Sequence, residues 1–539
     1  MATMSFSGRF FALFCLASLV SALDTVVDLG YAKYRGQSPS NGTVEWLGIR
    51  YAAPPVGNLR FAAPQDPEKK DGVQSANEHG PICIPTESYP VPSGTSEDCL
   101  YLDVYAPAQT RNTTKLPVFV WIQGGGFNSL AGPNYNGTGL IQAADKGIVV
   151  VTINYRVGPY GFLAGEEIKK GGSINNGLKD QIKALEWVQK HISKFGGDPK
   201  HVVLGGASAG AASINLLLGA YGGRNDGLFH GAAIDATSFA SMRNVEQNQF
   251  TYDNLAIRTG CASHNDTLAC LRNLDIADLQ RENINTPLPN AQNAPLYMYG
   301  PTIDNDLVPD LTYRLFHQGH FIKVPVIFGD VTNEGTAFVP KNTSDVGDAD
   351  TFIQSQFPQV KLEHLAKINE LYLQPNRTQD FPNSGPYWRP ASNAYGDMRY
   401  TCPGMDMSTI FAKAGAPSWY YKYDVQDPDT IKSGVGVPHT VDINAVFGPD
   451  YVSGSAPASY RTSNAPIVPV VQGYWTSFIR SFDPNKHRQS GSPEWKGWNS
   501  GNGHQRLYIR TGHTKMETVS TRQREKCDYL VSIGEALWQ

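Results

Sequence analysis

Short apolar runs and longer amphipathic stretches alternate along much of this chain. Residues 116–122 and 147–153 are compact, apolar and rich in Val and Ile, which predicts buried strands. Residues 176–195 place Leu178, Ile182, Leu185, Val188 and Ile192 on one helical face. Gly196-Gly197-Asp198-Pro199 breaks that helix, and 201–204 forms the next predicted strand. A helix follows over 211–218, an amphipathic one over 360–373, and further strands over 323–328 and 419–423. This alternation predicts an α/β fold around a large, mostly parallel central sheet flanked by helices. In such sheets the chemistry collects in loops at the C-terminal ends of the strands.

Composition narrows the setting. Arg9, the apolar stretch 10–20 and the small residues Val20-Ser21-Ala22 read as a secretory signal over residues 1–22. Residues 23–539 then contain no Pro/Gly/Ser linker and no repeat, so one large domain is expected. A chain this long can bury about three quarters of its unfolded surface. The net charge of −4 is small and interspersed, which argues against nucleic acid or an anionic membrane as partner. No later run is apolar enough to span a bilayer, and 534–539 carries no tail for a lipid anchor.

After the signal, six cysteines remain, an even number suited to disulfides in a secreted chain. Cys261 with Cys270, and Cys83 with Cys99, are close enough in sequence to close small loops, which leaves Cys402 and Cys527 as a third pair. Six sequons, at Asn41, Asn112, Asn136, Asn265, Asn342 and Asn376, fit a secreted glycoprotein.

Gly206-Ala207-Ser208-Ala209-Gly210 follows the apolar Val202-Val203-Leu204 and precedes a helix. That is the G-x-S-x-G nucleophile elbow, in which small residues permit a sharp turn and leave the serine Oγ unshielded. Such a serine needs amide donors for an oxyanion, a base, and an acid to orient the base. Gly124-Gly125-Gly126 follows the 116–122 strand, and the N–H groups of Gly125 and Gly126 can converge with that of Ala209. For the acid, Asp330 and Glu334 both follow the 323–328 strand, and the residues alone leave both open. Beyond them lie His364, His439, His487, His504 and His513. His439 stands apart, because it follows the loop 434–438 and precedes the half-apolar stretch 441–447, a setting that can hold a general base. His317 and His320 have no adjacent acidic partner and no H-E-x-x-H occurs, so no metal is expected.

Together these pieces resemble the type-B carboxylesterase/lipase family, the cholinesterase-like branch of the α/β-hydrolases. Further blocks carry the resemblance: Glu97-Asp98-Cys99-Leu100-Tyr101-Leu102-Asp103-Val104, Asn154-Tyr155-Arg156, Asn176-Gly177-Leu178-Lys179-Asp180-Gln181, Phe195-Gly196-Gly197-Asp198-Pro199, Pro301-Thr302-Ile303-Asp304 and Asp483-Pro484-Asn485. The resemblance implies a triad of Ser208, Glu334 and His439, with an oxyanion hole of Gly125, Gly126 and Ala209. It implies the same first two cysteine pairs, with the third present only in some members. It also implies buried ion pairs Arg60 with Glu97 and Arg156 with Asp180, acyl transfer on a small-molecule ester, and no cofactor.

Two departures stand out. The family's usual glutamate before the nucleophile is Ala207, which predicts a less stabilised imidazolium and a pH profile displaced to lower values. The residue before the glycine run is Gln123, where the family often has histidine or an aromatic. The segment between Cys83 and Cys99 holds Pro85, Pro90, Pro92 and Gly94, so no amphipathic lid helix fits there. Shorter, soluble esters are therefore expected over long triacylglycerols. The absence of tryptophan in that segment argues against a quaternary-ammonium cage and against acetylcholine. A triacylglycerol lipase is the alternative enzyme, and a non-catalytic adhesion protein on the same scaffold is the alternative outside enzymes.

Overall fold

A computed structural model describes residues 25–539; the expected signal segment, 1–22, lies outside the described residues. A ten-stranded sheet runs through the molecule. In chain order its strands are β1 (Thr43–Arg50), β2 (Tyr101–Pro107), β3 (Leu116–Ile122), β4 (Val149–Ile153), β5 (Gly197–Ala207), β6 (Gly231–Asp235), β7 (Val326–Val331), β8 (Ser418–Tyr423), β9 (Gln505–Ile509) and β10 (Lys515–Thr518). Their order across the sheet is β10-β9-β8-β7-β6-β5-β3-β4-β2-β1. The interior pairings from β9 to β4 are parallel, and both edges are antiparallel.

The sheet is buried on both faces, so its central strands are apolar throughout rather than alternating. Val118, Val120 and Ile122 of β3 enter one core, while Phe119 and Trp121 enter the other. The first core packs under α1 (Asn176–His191) and α2 (Ala209–Gly219) through Leu178, Leu185, Ile214 and Leu218. On the same side lie α3 (Trp388–Gly396) and α4 (Cys402–Lys413), which a π-turn, Asp397–Thr401, joins into one continuous run. The second core packs under α5 (Val468–Ser481) through Val471, Trp475 and Phe478.

Several boundaries differ from the sequence reading. The strand expected at 323–328 is Val326–Val331. Pro325 has no N–H to donate to the ladder, and Asp330 and Val331 pair in parallel with Lys422 and Tyr423. The helix expected to reach residue 195 tightens to a 3₁₀ turn after His191 and stops at Gly196, whose φ is +83°. The antiparallel edge strands were not distinguished in the sequence, because their mixed polarity carries a weak periodic signal.

All three cysteine pairs form, with Cα–Cα separations of 5.0, 5.5 and 4.9 Å for Cys83–Cys99, Cys261–Cys270 and Cys402–Cys527. The segment between Cys83 and Cys99 contains no helix. None of the six sequon asparagines is buried, and Asn112, Asn265, Asn342 and Asn376 are exposed. Among the described residues no helix is long and apolar enough to cross a membrane.

Candidate active site

Ser208 sits between β5 and α2 with φ +59° and ψ −122°. A side chain rarely adopts this conformation; here the chain must reverse from strand to helix within one residue. Its neighbours are small because nothing larger fits. A Cβ on Gly206 would fall 2.7 Å from the backbone of Gly210, and one on Gly210 would fall 2.0 Å from the carbonyl oxygen of Ile122. The Ser208 N–H donates to the carbonyl of Asp235 at 3.3 Å, which ties the turn to the end of β6.

The glycine run follows β3. Gly125 and Gly126 both have positive φ, +111° and +62°. A Cβ on Gly125 would fall 2.1 Å from the Ser129 carbonyl oxygen, so the turn closes only with glycine. Neither amide is used in a hydrogen bond among the described residues, and Ala209 opens α2, where helix geometry leaves its N–H unpaired. Gln123, just before the run, is buried. Its Nε2 donates to the Ile153 carbonyl and to Asn154 Oδ1, both at 3.0 Å, and so pins the ends of β3 and β4 together.

Glu334 begins a 3₁₀ turn after β7 and is fully enclosed. Its Oε1 accepts the Val331 N–H at 2.8 Å, and its Oε2 meets Nδ1 of His439. Burial pushes the Glu334 carboxyl above the usual carboxylate range, and the His439 contact pulls it partly back. The loops that carry these two residues are stitched directly: Asn333 N–H donates to the Val437 carbonyl at 3.0 Å, and Val437 N–H to Asn333 Oδ1 at 2.9 Å. The imidazole is held between rings, with Tyr400 at 4.5 Å and Phe338 at 4.9 Å between centroids. Its Nε2 is buried and bonds to no described residue. With one nitrogen on a carboxylate, such an imidazole presents the other to take a proton.

Ser208 and His439 line one cavity of about 110 Å³ with Trp121, Gly124, Gly125 and Tyr297. The structure thus brings Ser208, His439, Glu334, Gly125 and Ala209 to one edge of the sheet. Asp330, the other acid the residues left open, is directed away: it is fully buried and accepts the Thr401 hydroxyl at 2.6 Å. Of the remaining histidines, His317 is exposed and bonds Asp406 at 2.9 Å, and His320 is exposed. The expected ion pairs are present, Arg60 with Glu97 at 2.6 Å and Arg156 with Asp180 at 2.7 Å.

The sequence reading missed a second group of acids. Ala207 is apolar, yet Asp235 ends β6 and Asp442 lies three residues past His439, both fully buried and both bonded to the Tyr421 hydroxyl. Burial raises both carboxyls, most strongly Asp235, which the neighbouring Asp442 raises further; hydrogen bonding with Asp235 and Tyr421 pulls Asp442 partly back down. No spacing rule links residues 235, 421 and 442. No local pattern in the sequence marked any of the three.

The carboxylesterase family matches residues 24–530. Secreted lipase 4 of Gibberella zeae is 30% identical over 499 residues, covering 89% of this chain and 87% of the relative. Para-nitrobenzyl esterase of Bacillus subtilis is 31% identical, covering 85% of this chain and 90% of the relative. The crystal structure of Aspergillus niger EstA superposes with a TM-score of 0.92 at 41% identity, covering 96% of this chain and 99% of that one. The chain belongs to the carboxylesterase family and is a carboxylic ester hydrolase built on the α/β-hydrolase fold.

Proposed function

We propose that this hydrolase is a secreted serine esterase working through Ser208, His439 and Glu334 on soluble esters of short to medium acyl length. The observation that carries the triad is the position of His439, bonded to Glu334 through Nδ1 and sharing a cavity with Ser208 on its other side. His439 Nε2 takes the Ser208 proton as Oγ attacks the ester carbonyl. The amides of Gly125, Gly126 and Ala209 hold the tetrahedral oxyanion. The imidazolium returns the proton to the departing alcohol, and a water, deprotonated by the same nitrogen, releases the acid from Ser208.

The short acyl preference rests on the helix-free segment between Cys83 and Cys99 and on a cavity of about 110 Å³. Relatives named as lipases favour the alternative of a triacylglycerol lipase. An ester panel of graded acyl length separates the two, since a sharp rate rise above the substrate's solubility limit would select the lipase. Secretion through a signal over 1–22, a mature domain over 23–539 and glycans at the exposed sequons belong to the same reading, supported by three disulfides and by relatives named as secreted. The triad itself is tested by labelling with a serine-reactive phosphonate. The wild type takes the label and Ser208→Ala does not; equal labelling of both would remove the proposal.

A further inference from the structure

Beside the catalytic cavity lies a smaller one, and Tyr297 lines both. Gly126 lies against the same ring, since a Cβ there would fall 2.2 Å from Tyr297. Two arginines, Arg243 and Arg399, line the smaller cavity, and no aspartate or glutamate does. Each is only 8% exposed. Neither forms an ion pair with any described residue. Arg243 spends its Nε on Asn248 Oδ1 at 2.9 Å and its Nη2 on the Met298 carbonyl at 2.5 Å, both neutral acceptors. Burial draws the Arg243 guanidinium down to about 10. Arg399 makes no side-chain hydrogen bond among the described residues, and its Nε is buried without a partner.

Two enclosed guanidinium groups without a carboxylate are costly, because desolvation is not offset by a counter-charge. The backbone around Arg399 is unusual as well. It lies in the π-turn 397–401 between α3 and α4, and such turns recur at functional sites. The same turn sets Tyr400 against His439. The free space in this cavity is about 30 Å³, room on the order of two water-sized groups and thus for the two oxygens of a carboxylate.

We propose that Arg243 and Arg399 form an anion subsite that selects esters bearing a carboxylate. The planar guanidinium of Arg399 accepts such a group through paired N–H donors. This rests on the triad reading above and adds the substrate class. The carboxylate can belong to the acid part of the ester, as in a monoester of a dicarboxylic acid, or to the alcohol part, as in an ester of a hydroxy acid.

Two substrate pairs test it: nitrophenyl hydrogen glutarate against nitrophenyl hexanoate, and carboxymethyl butyrate against propyl butyrate. In the wild type one anionic member should exceed its neutral counterpart in kcat/KM by on the order of tenfold to a hundredfold. The pair that shows this identifies which side carries the charge. In Arg399→Gln that ratio should collapse toward one, and in Arg399→Lys it should recover in part. Because the ratio is taken within each protein, general damage to folding cancels. Free glutarate should inhibit the wild type competitively, and less so at high salt. Turnover of all four esters with both wild-type ratios at or below one would overturn the subsite alone. No turnover of any ester, with no phosphonate labelling, would mark failure of the triad and take this proposal with it.

Discussion

Asp235 and Asp442 are joined through one hydroxyl: Tyr421 lies 2.5 Å from Asp235 Oδ1 and 2.8 Å from Asp442 Oδ2. A phenol has one hydrogen to give, so both short contacts are attractive only if one of the carboxyls carries a proton as well. Burial favours that, since it raises both acids. An acid raised by folding keeps its proton over a pH range in which the unfolded chain has already released it. Its stabilisation is complete below the ordinary carboxylate range and is lost as pH rises through the raised value. The melting temperature should therefore fall as pH climbs above that range, and Asp235→Asn, which needs no proton, should flatten the fall. Parallel curves for the two proteins would contradict the shared proton.

Ser208 is held in a conformation that suits glycine. Relieving it is worth about 1–3 kcal/mol, offset by roughly 0.5–1 kcal/mol of extra chain entropy lost by glycine. Ser208→Gly should abolish ester hydrolysis and yet unfold at a higher denaturant concentration than the wild type. A lower midpoint would show that the turn is not strained.

Gly125→Ala tests the oxyanion loop. The new methyl would sit 2.1 Å from the Ser129 carbonyl oxygen, at a φ of +111°, so the loop must move. Loss of one oxyanion donor costs on the order of 100- to 1,000-fold in kcat. The expected signature is a fall in kcat with KM little changed; a wild-type kcat would remove Gly125 from the hole.

Arg156 and Asp180 pair in fork geometry, Nε to Oδ2 at 2.8 Å and Nη2 to Oδ1 at 2.7 Å, and Asp180 also accepts the Arg156 N–H at 3.1 Å. Both side chains are enclosed. Asp180→Asn leaves a buried cation alone, which should cost about 3–5 kcal/mol in urea unfolding. A loss under 1 kcal/mol would mean that water reaches the pair.

The Cys402–Cys527 bridge spans 125 residues. Closing a loop of this size restricts the unfolded chain by about 4–5 kcal/mol. Cys402 directly follows the π-turn that packs Tyr400 on His439. The double change Cys402→Ala with Cys527→Ala should lower thermal stability by several degrees and reduce kcat in proportion to any loosening of that ring. Full activity with unchanged melting would show the bridge to be dispensable.

Much of this site was readable from local order. Gly206-Ala207-Ser208-Ala209-Gly210 is a conformational statement in itself, because only small residues tolerate a strand-to-helix reversal at one residue. The apolar blocks that became β3, β4 and β5 announced a buried sheet, and strand ends then located the loops. Between Asp330 and Glu334, residue type could not choose; Asp330 still belongs to β7 and bonds Thr401, whereas Glu334 lies in the turn beyond the strand and meets His439.

By itself, then, the chain determined the fold class, the elbow and the candidate partners, because these depend on periodicity, residue size and order along the backbone. Only the tertiary structure decided the contacts that neither local order nor family resemblance marks. The Asp235 and Asp442 pair, the ring cage on His439 and the meeting of Arg243 and Arg399 at one cavity are assembled from segments far apart in sequence. Their interaction energies arise from burial and distance in three dimensions, and neither quantity is written in spacing.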